Sequence, residues 1–337
     1  MDIKEIRQLA RERMKGYCAV CPVCNGKACA GQVPGMGGTG SGAAFQNNLS
    51  ALARYRLNMR TIHSVTAPQT SCHILGLELA TPVLAAPMTG VSYNMGGALT
   101  ESQFISHIMA GAREAGSIGC CGDGGDPQFY DSGLAAIREQ GGHGIAFIKP
   151  RSQEEIIKRL RLAEEAGARA VGIDIDGAGL VTMALFGQPV GPKTPDELRE
   201  LVQSTSLPFI IKGIMTVDEA RLAAEAGAAA IVVSNHGGRI LDHTPGAAEV
   251  LPAIVEAVGH SITVLADGGV RSGVDVLKLL ALGAKAVLVG RPLAVAAVGG
   301  GTEGVRLYLE KYTAELKQAM ILTGCASLSD IGPHVLA

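Results

Sequence analysis

The stretch Ser234-Asn235-His236-Gly237-Gly238-Arg239 closes an apolar run, Ala229-Ala230-Ile231-Val232-Val233. Five small or β-branched apolar residues in a row read as a strand buried on both faces. The strand stops at a histidine and an arginine with two glycines between them. A proton acceptor beside a fixed cation suits an anionic substrate that must lose a proton. The alternative for His236, a hydrogen-bonded core histidine, fits poorly beside Arg239 and two glycines.

Working outward, the same pattern recurs. Apolar runs bounded by Gly or Pro occupy Pro82–Ala86, Ser117–Cys121, Gly144–Ile148, Ala170–Ile175, Pro208–Lys212, Ala229–Ser234, Ile262–Ala266 and Ala286–Val289. Amphipathic segments lie between them, most clearly Gln153–Ala166, Thr194–Ser204, Val217–Ala226, Gly246–Val258 and Gly273–Leu282. Glu165-Ala166-Gly167-Ala168, Glu225-Ala226-Gly227-Ala228 and Ala281-Leu282-Gly283-Ala284 form a weak repeat. In each, Gly reads as the left-handed cap that ends a helix before the next strand. Eight alternating units favour a closed (β/α)8 TIM barrel over an open sheet. In that fold chemistry sits where strands end. The polar residues obey the rule: Asp174 and Asp176 end the fourth run, Lys212 the fifth, and His236 and Arg239 follow the sixth. Asp267 and Arg271 follow the seventh, and Gly290-Arg291 the eighth. A buried ammonium or carboxylate needs a partner, so these positions imply a site.

Composition narrows the classes. The chain has 337 residues, 47% of them hydrophobic, with 45 glycines and no Trp. A net charge of −2 gives no footprint for nucleic acid or an anionic membrane. No 18-residue apolar run and no signal-peptide core are found, so the expectation is a cytoplasmic protein acting on a small molecule. The eight cysteines are then not a disulfide framework.

Gly268-Gly269 and Gly290 flank Arg271 and Arg291 after the last two strands. Glycine lets backbone N–H groups approach phosphate oxygens, and these two loops are the usual phosphate seat of the barrel. The bland reading is two turns with solvated arginines. Two adjacent copies in the right places argue for the phosphate.

With these motifs in order, the sequence resembles the FMN-dependent α-hydroxy acid oxidase and dehydrogenase family, that of glycolate oxidase, lactate oxidase and flavocytochrome b2. The resemblance runs through Ile211-Lys212-Gly213, Ser234–Arg239 with Leu241-Asp242, Asp267–Gly273, Gly290-Arg291-Pro292 and Met320–Ser327. It is weaker from Pro82 to Asp176. It implies FMN as cofactor and roles for the matching residues. His236 takes the proton, Asp176 orients it, and Arg239 holds the substrate carboxylate with its planar fork. Lys212 stabilises reduced flavin. Pro87, Met88, Thr89, Gly122, Asp174 and Ser234 lie against the cofactor. Asp267 binds ribityl hydroxyls, and Gly268, Gly269, Arg271, Gly290 and Arg291 hold the phosphate. Residues 79–337 are then the FMN-binding barrel, with residues 1–78 a helical, Cys- and Gly-rich extension packed on it. The resemblance also implies a homo-oligomer, a tetramer or octamer.

The chain departs from the family on the substrate side. Gly35–Gly42 holds no tyrosine where members carry one for the carboxylate. A family Gln and Tyr on the third strand match Ala146 and Ile148, followed by Lys149, and a flavin-contacting Thr aligns with Asp174. Gly177–Pro192 is short and has no Arg. Lys149 and Arg113 are the candidates to replace the lost anchor. Gly35–Gly42 reads as a flexible lid or a close-approach loop, and Asn47–Arg60 as a helix joining it to the barrel.

Cys18, Cys21, Cys24 and Cys29 are spaced C-x2-C-x2-C-x4-C. Such spacing holds zinc or an iron–sulfur cluster, although the bacterial ferredoxin run has x3 before its last Cys. The competing reading is reduced thiols in a packed segment. Cys120-Cys121 read as small core residues, with a redox role beside the flavin as the alternative.

The function expected is oxidation of an L-2-hydroxy acid, lactate- or glycolate-like, to the 2-oxo acid, by hydride transfer or through a carbanion. The alternative is an FMN-dependent isomerase or reductase of another substrate class on the same barrel. A third reading is a non-enzymatic flavin or metal protein carrying electrons.

Overall fold

The computed structural model describes residues Met1–Ala337. Before the barrel come α1 (Ile3–Arg13), α2 (Ala43–Arg54) and a hairpin of β1 (Cys72–Ile74) and β2 (Leu77–Leu79). The barrel strands are β3 (Val83–Ala85), β4 (Gly119–Cys121), β5 (Gly144–Ile148), β6 (Ala170–Asp174), β7 (Phe209–Ile214), β8 (Ala230–Val233), β9 (Thr263–Ala266) and β10 (Val287–Val289). Each pairs parallel with the next, and β10 closes on β3. Short α3 (Val91–Asn94) precedes the outer helix α4 (Glu101–Glu114). Then come α5 (Pro127–Glu139), α6 (Gln153–Glu165), short α7 (Val181–Leu185), α8 (Pro195–Gln203), α9 (Val217–Glu225), α10 (Ala247–Val258), α11 (Gly273–Ala281) and α12 (Arg291–Thr323). The chain is thus a (β/α)8 barrel. The expected strands and helices are present, with ends moved by a residue or two. Gly167, Gly227 and Gly283 all have positive φ, and the following Ala168, Ala228 and Ala284 N–H groups donate back to Ala163, Ala223 and Leu279. That is the left-handed helix cap expected from the repeat.

Two cores follow from strand alternation. Leu84, Cys120, Ile145, Phe147, Ile210, Val232, Leu265 and Leu288 point into the barrel, and Ile74 and Leu79 of the hairpin plug its lower end. Ala146, Ile148, Ile173, Ile211 and Val233 face the helices. The match of Ala146 and Ile148 to site-facing family residues is therefore corrected by one register. The inward positions of β5 are Ile145 and Phe147, and Lys149, just past its end, continues that face.

The strand boundary at Lys212 is also corrected. β7 runs on to Ile214 through a register shift at Gly213, where φ is +105°. This bulge re-aims the strand end. A Cβ on Gly213 would lie 2.5 Å from Asp176 Cγ, so its absence makes room for that carboxylate.

The helix expected over Asn47–Arg60 starts earlier and ends earlier, as α2. Beyond Arg54 the chain is extended, Asn58 N–H donating to Val335 in the C-terminal tail and Arg60 N–H to Leu322 at the end of α12. α2 lies over the loops after β8 and β9. Asn48 donates to Asn235 Oδ1 (2.7 Å) and accepts from Ala247 N–H (3.0 Å). α1 packs on α12 with backbone-to-backbone intimacy, since a Cβ on Gly299 would sit 2.1 Å from the Ile6 carbonyl oxygen. Gly299→Ala should therefore lower the unfolding free energy by about 1–3 kcal/mol, the range for overpacking. Gly191→Ala, whose Cβ meets nothing within 4 Å, should leave it within experimental error in the same denaturant titration.

Candidate active site

A cavity of about 1050 Å3, counting its open mouth, lies at the C-terminal face of the strands. Pro87, Met88, Thr89, Lys212, His236 and Arg239 line it, with Asp267, Gly268, Gly269, Arg271, Gly290 and Arg291 on the far wall. Asp174, Asp176, Ser234 and Gly122 stand directly behind these groups. The structure thus gathers the residues singled out in the barrel sequence around one space.

His236 sits in the left-handed region, φ +57°, which is rare for a residue with a side chain. Its N–H donates to Ser234 Oγ (3.0 Å), and Asn235 Oδ1 accepts from Gly238 N–H (3.1 Å). These bonds hold the ring toward the cavity. Nδ1 lies 3.0 and 3.1 Å from the two oxygens of Asp176. A proton on Nδ1 shared with that carboxylate leaves Nε2 as the free acceptor. Burial lowers the His236 pKa, with Asp176 opposing and Lys212 and Lys149 adding to the shift, so the ring is neutral near pH 7.

Beneath the histidine, Asp174 is fully buried between Lys149 Nζ (2.6 Å) and Lys212 Nζ (3.0 Å). Burial alone would raise its pKa, but the two ammoniums overcome this and hold it far below the ordinary carboxylate range. Lys212 is pushed the other way: burial opposes its charge, and Asp174, Asp176 and Asp267 more than restore it. Both charges persist at neutral pH. Asp174, Asp176 and His236 also form a group of metal-type ligand atoms within 4.8 Å. With both Asp174 oxygens on lysines, that group reads as an ion network rather than a cation site.

The cavity fits FMN. The amide N–H groups of Gly268, Gly269 and Gly290 donate to no protein acceptor. At Gly268 a Cβ would meet Asn48 Oδ1 at 2.6 Å, and at Gly269 the Asn48 carbonyl oxygen at 2.8 Å, so only glycine builds this cradle under α2. Asp267 Oδ1 is buried without a partner, as a ribityl-hydroxyl acceptor would be. Burial holds the Arg291 guanidinium down at about 9, with the neighbouring Arg239 and Arg271 charges adding, a repulsion that a phosphate would relieve.

Of the two candidate anchors, Lys149 faces the cavity, whereas Arg113 donates to the Gln140 carbonyl at the opposite end of the barrel. Sequence reasoning missed Asp123, Tyr93, Asn94, Leu180 and Thr182. Lys149 is positioned by Asp123, which accepts from its N–H (3.1 Å) and is itself gripped by Arg151 at 2.7 and 3.0 Å. Tyr93 and Asn94 enter from α3, and Leu180 and Thr182 from the short loop after β6. The Gly35–Gly42 loop proves to be a close-approach loop. Arg239 donates to the Gly35 and Gly37 carbonyls and to Asn94 Oδ1, and Arg291 to Met36 (2.7 Å) and Gly37 (2.8 Å). A motif of small residues signalled the close approach; nothing in it named the arginines.

Cys120 points into the barrel near Asp174, and Cys121 packs against Gly133 of α5. Burial raises both thiols, Cys121 to about 12, so neither is a thiolate at neutral pH. The four N-terminal cysteines are all free and partly exposed.

A barrel with unpaired glycine amides on two strand-end loops, a His–Asp pair and a buried lysine suits a flavin oxidoreductase of the hydroxy acid type. Comparison with known proteins agrees: the FMN-dependent dehydrogenase family matches over residues 35–184 and 180–337. The chain is 34% identical to an L-lactate oxidase of Alicycliphilus denitrificans, covering 88% of each chain. It is also 34% identical to a 4-hydroxymandelate oxidase of Amycolatopsis orientalis, over 87% of this chain and 89% of that one. A crystal structure of mandelate oxidase superposes with a TM-score of 0.82 at 30% identity, covering 99% and 97% of the two chains. The chain belongs to the FMN-dependent dehydrogenase family and is an oxidoreductase of its 2-hydroxy acid oxidase group. No helix is long and apolar enough to cross a membrane.

Removing Lys149 strips Asp174 of one of two partners. Lys149→Met should be less stable near pH 7 by about 1–3 kcal/mol, below the full cost of orphaning a buried charge. Because the Asp174 pKa is depressed on folding, its contribution is present above the unfolded value of 3.8 and lost as pH falls. Chemical denaturation at several pH values should show the gap between the two proteins narrowing in acid.

Proposed function

We propose that the protein oxidises an L-2-hydroxy acid to the 2-oxo acid. The observation that carries this is the His236–Asp176 pair facing Arg239 across a cavity with a phosphate cradle on its far wall. FMN, when bound, supplies the two-electron acceptor that no side chain provides. His236 Nε2 takes the substrate proton. Asp176 holds Nδ1–H and stabilises the imidazolium that forms, as the third member of a catalytic triad does. Lys212, kept charged by three carboxylates, presents a cation toward the flavin ring. Arg239 receives the substrate carboxylate, with Lys149 and the Tyr93 hydroxyl on the same wall in place of the missing anchor. Gly268, Gly269, Gly290, Arg271 and Arg291 hold the phosphate. Assembly as a homo-oligomer is part of this reading, checked by light scattering on the purified protein.

One observation favours the second reading, isomerisation or reduction of an unsaturated substrate. The Arg239 fork already donates to two carbonyls and Asn94, leaving fewer donors for a carboxylate. Anaerobic titration separates the two. A panel of 2-hydroxy acids should bleach the flavin band of the purified protein. No bleaching by any of them, with reoxidation of chemically reduced protein by an alkene, would establish the second reading instead.

His236→Ala should slow bleaching by about 10²-fold or more, the usual effect of removing a general base. The rate should fall on acidification with a midpoint below the ordinary imidazole value of 6.5, because burial lowers the His236 pKa. Asp176→Asn, which removes the group that raises it, should move that midpoint to still lower pH and slow the reaction. A midpoint moving upward in this variant would contradict the assigned pairing.

A further inference from the structure

Beside the active site lies a second cavity, whose walls include Cys18, Cys21, Cys24 and Cys29. All four thiols are free and partly exposed, with Cys18 packed against the main core. The loop carrying them is held by α1 and by Arg271. Arg7 and Arg11 of α1 seize its carbonyls, Arg7 at Cys21 (2.6 Å) and Arg11 at Val20 (3.1 Å) and Ala19 (3.3 Å). Val20 is forced to φ +44°, and its N–H turns to Cys18 Sγ at 3.4 Å. Arg271 donates to the Cys24 carbonyl (3.1 Å) and lies 3.5 Å from Cys24 Sγ.

We propose that Cys18, Cys21, Cys24 and Cys29 bind an iron–sulfur cluster. Position favours a redox group over zinc and supplies its purpose. Met36, Arg271 and Arg291 line both cavities, so one layer of side chains separates the cysteines from the flavin seat. Oxidation of a hydroxy acid releases two electrons and two protons. The cluster would take the electrons singly and pass them to an external one-electron acceptor protein, the protons going to solvent. This role rests on the flavin reading above; binding of the cluster does not.

Protein isolated without oxygen should contain iron and acid-labile sulfide in about equal amounts, two or four of each per chain. Dithionite should produce an electron paramagnetic resonance signal distinct from that of flavin. The double variant Cys18→Ser, Cys21→Ser should lose the iron and the signal while keeping its flavin and its bleaching by a 2-hydroxy acid. Trace iron in the native protein, stoichiometric zinc, or iron unchanged in the variant would overturn the proposal. Full iron with no bleaching would leave the cluster standing and refute the flavin reading alone.

Discussion

Asp174 wedged between Lys149 and Lys212 is the contact on which the site depends. Each of the three is at least nine-tenths buried, and none could be ionised there alone. Together they form a short row across β5, β6 and β7, in the inward layer directly above Phe147, Gly172 and Ile210. Phe147 fills the space that a side chain on Gly172 would occupy, a Cβ there lying 2.5 Å from its ring. The apolar plug below the row excludes water, and the cavity above it receives the field of the lysines. Low polarizability around the row makes that field stronger than it would be in water. His236, placed one layer higher, is kept neutral by burial and by the same cations. The ion row and the base are therefore one electrostatic unit.

That unit also explains which parts of the molecule were legible beforehand. Apolar runs mark buried strands, and a charged residue ending such a run must have a partner, so Lys212, Asp174 and Asp267 announced themselves. Lys149 did not. It follows its run by one residue, and only the register of the closed barrel turns Phe147 and Lys149 inward rather than Ala146 and Ile148. The bulge at Gly213 escaped for a similar reason: the glycine is visible, but its purpose is the carboxylate of Asp176, which lies far away in sequence. Tyr93 and Asn94 reach the cavity because Glu101 ties down the loop before them, accepting from Gly90 and Val91 N–H at 2.9–3.1 Å. No local pattern encodes that path. The end of α2 was likewise set by pairing with the C-terminal tail, since helix propensity beyond Arg54 loses to tertiary hydrogen bonds.

The N-terminal segment is where this chain differs most from what the family resemblance implied. Its glycines at 35 and 37 allow backbone, not side chains, to cover the site. A Cβ on Gly37 would fall 1.8 Å from the Cys29 carbonyl oxygen, so the loop and the cysteine segment interlock. Carbonyl groups then point at Arg239 and Arg291, whose charges would otherwise repel at close range. Where the family resemblance implies a tyrosine hydroxyl, this loop offers backbone acceptors to the two arginines, and Lys149 and Tyr93 are the donors that line the cavity.

Phe45 ties these parts together. It is almost fully buried, and its ring lies 3.9 Å beneath the Arg291 guanidinium and 5.7 Å from that of Arg271. Gly26 of the cysteine loop touches the same ring, where a Cβ would come within 2.7 Å. Cation–π attraction fixes both guanidiniums between the phosphate cradle and the thiols. Both arginines line the strand-end cavity and the cysteine-lined one, so the segment before the barrel and the loops after β9 and β10 share one pair of cations.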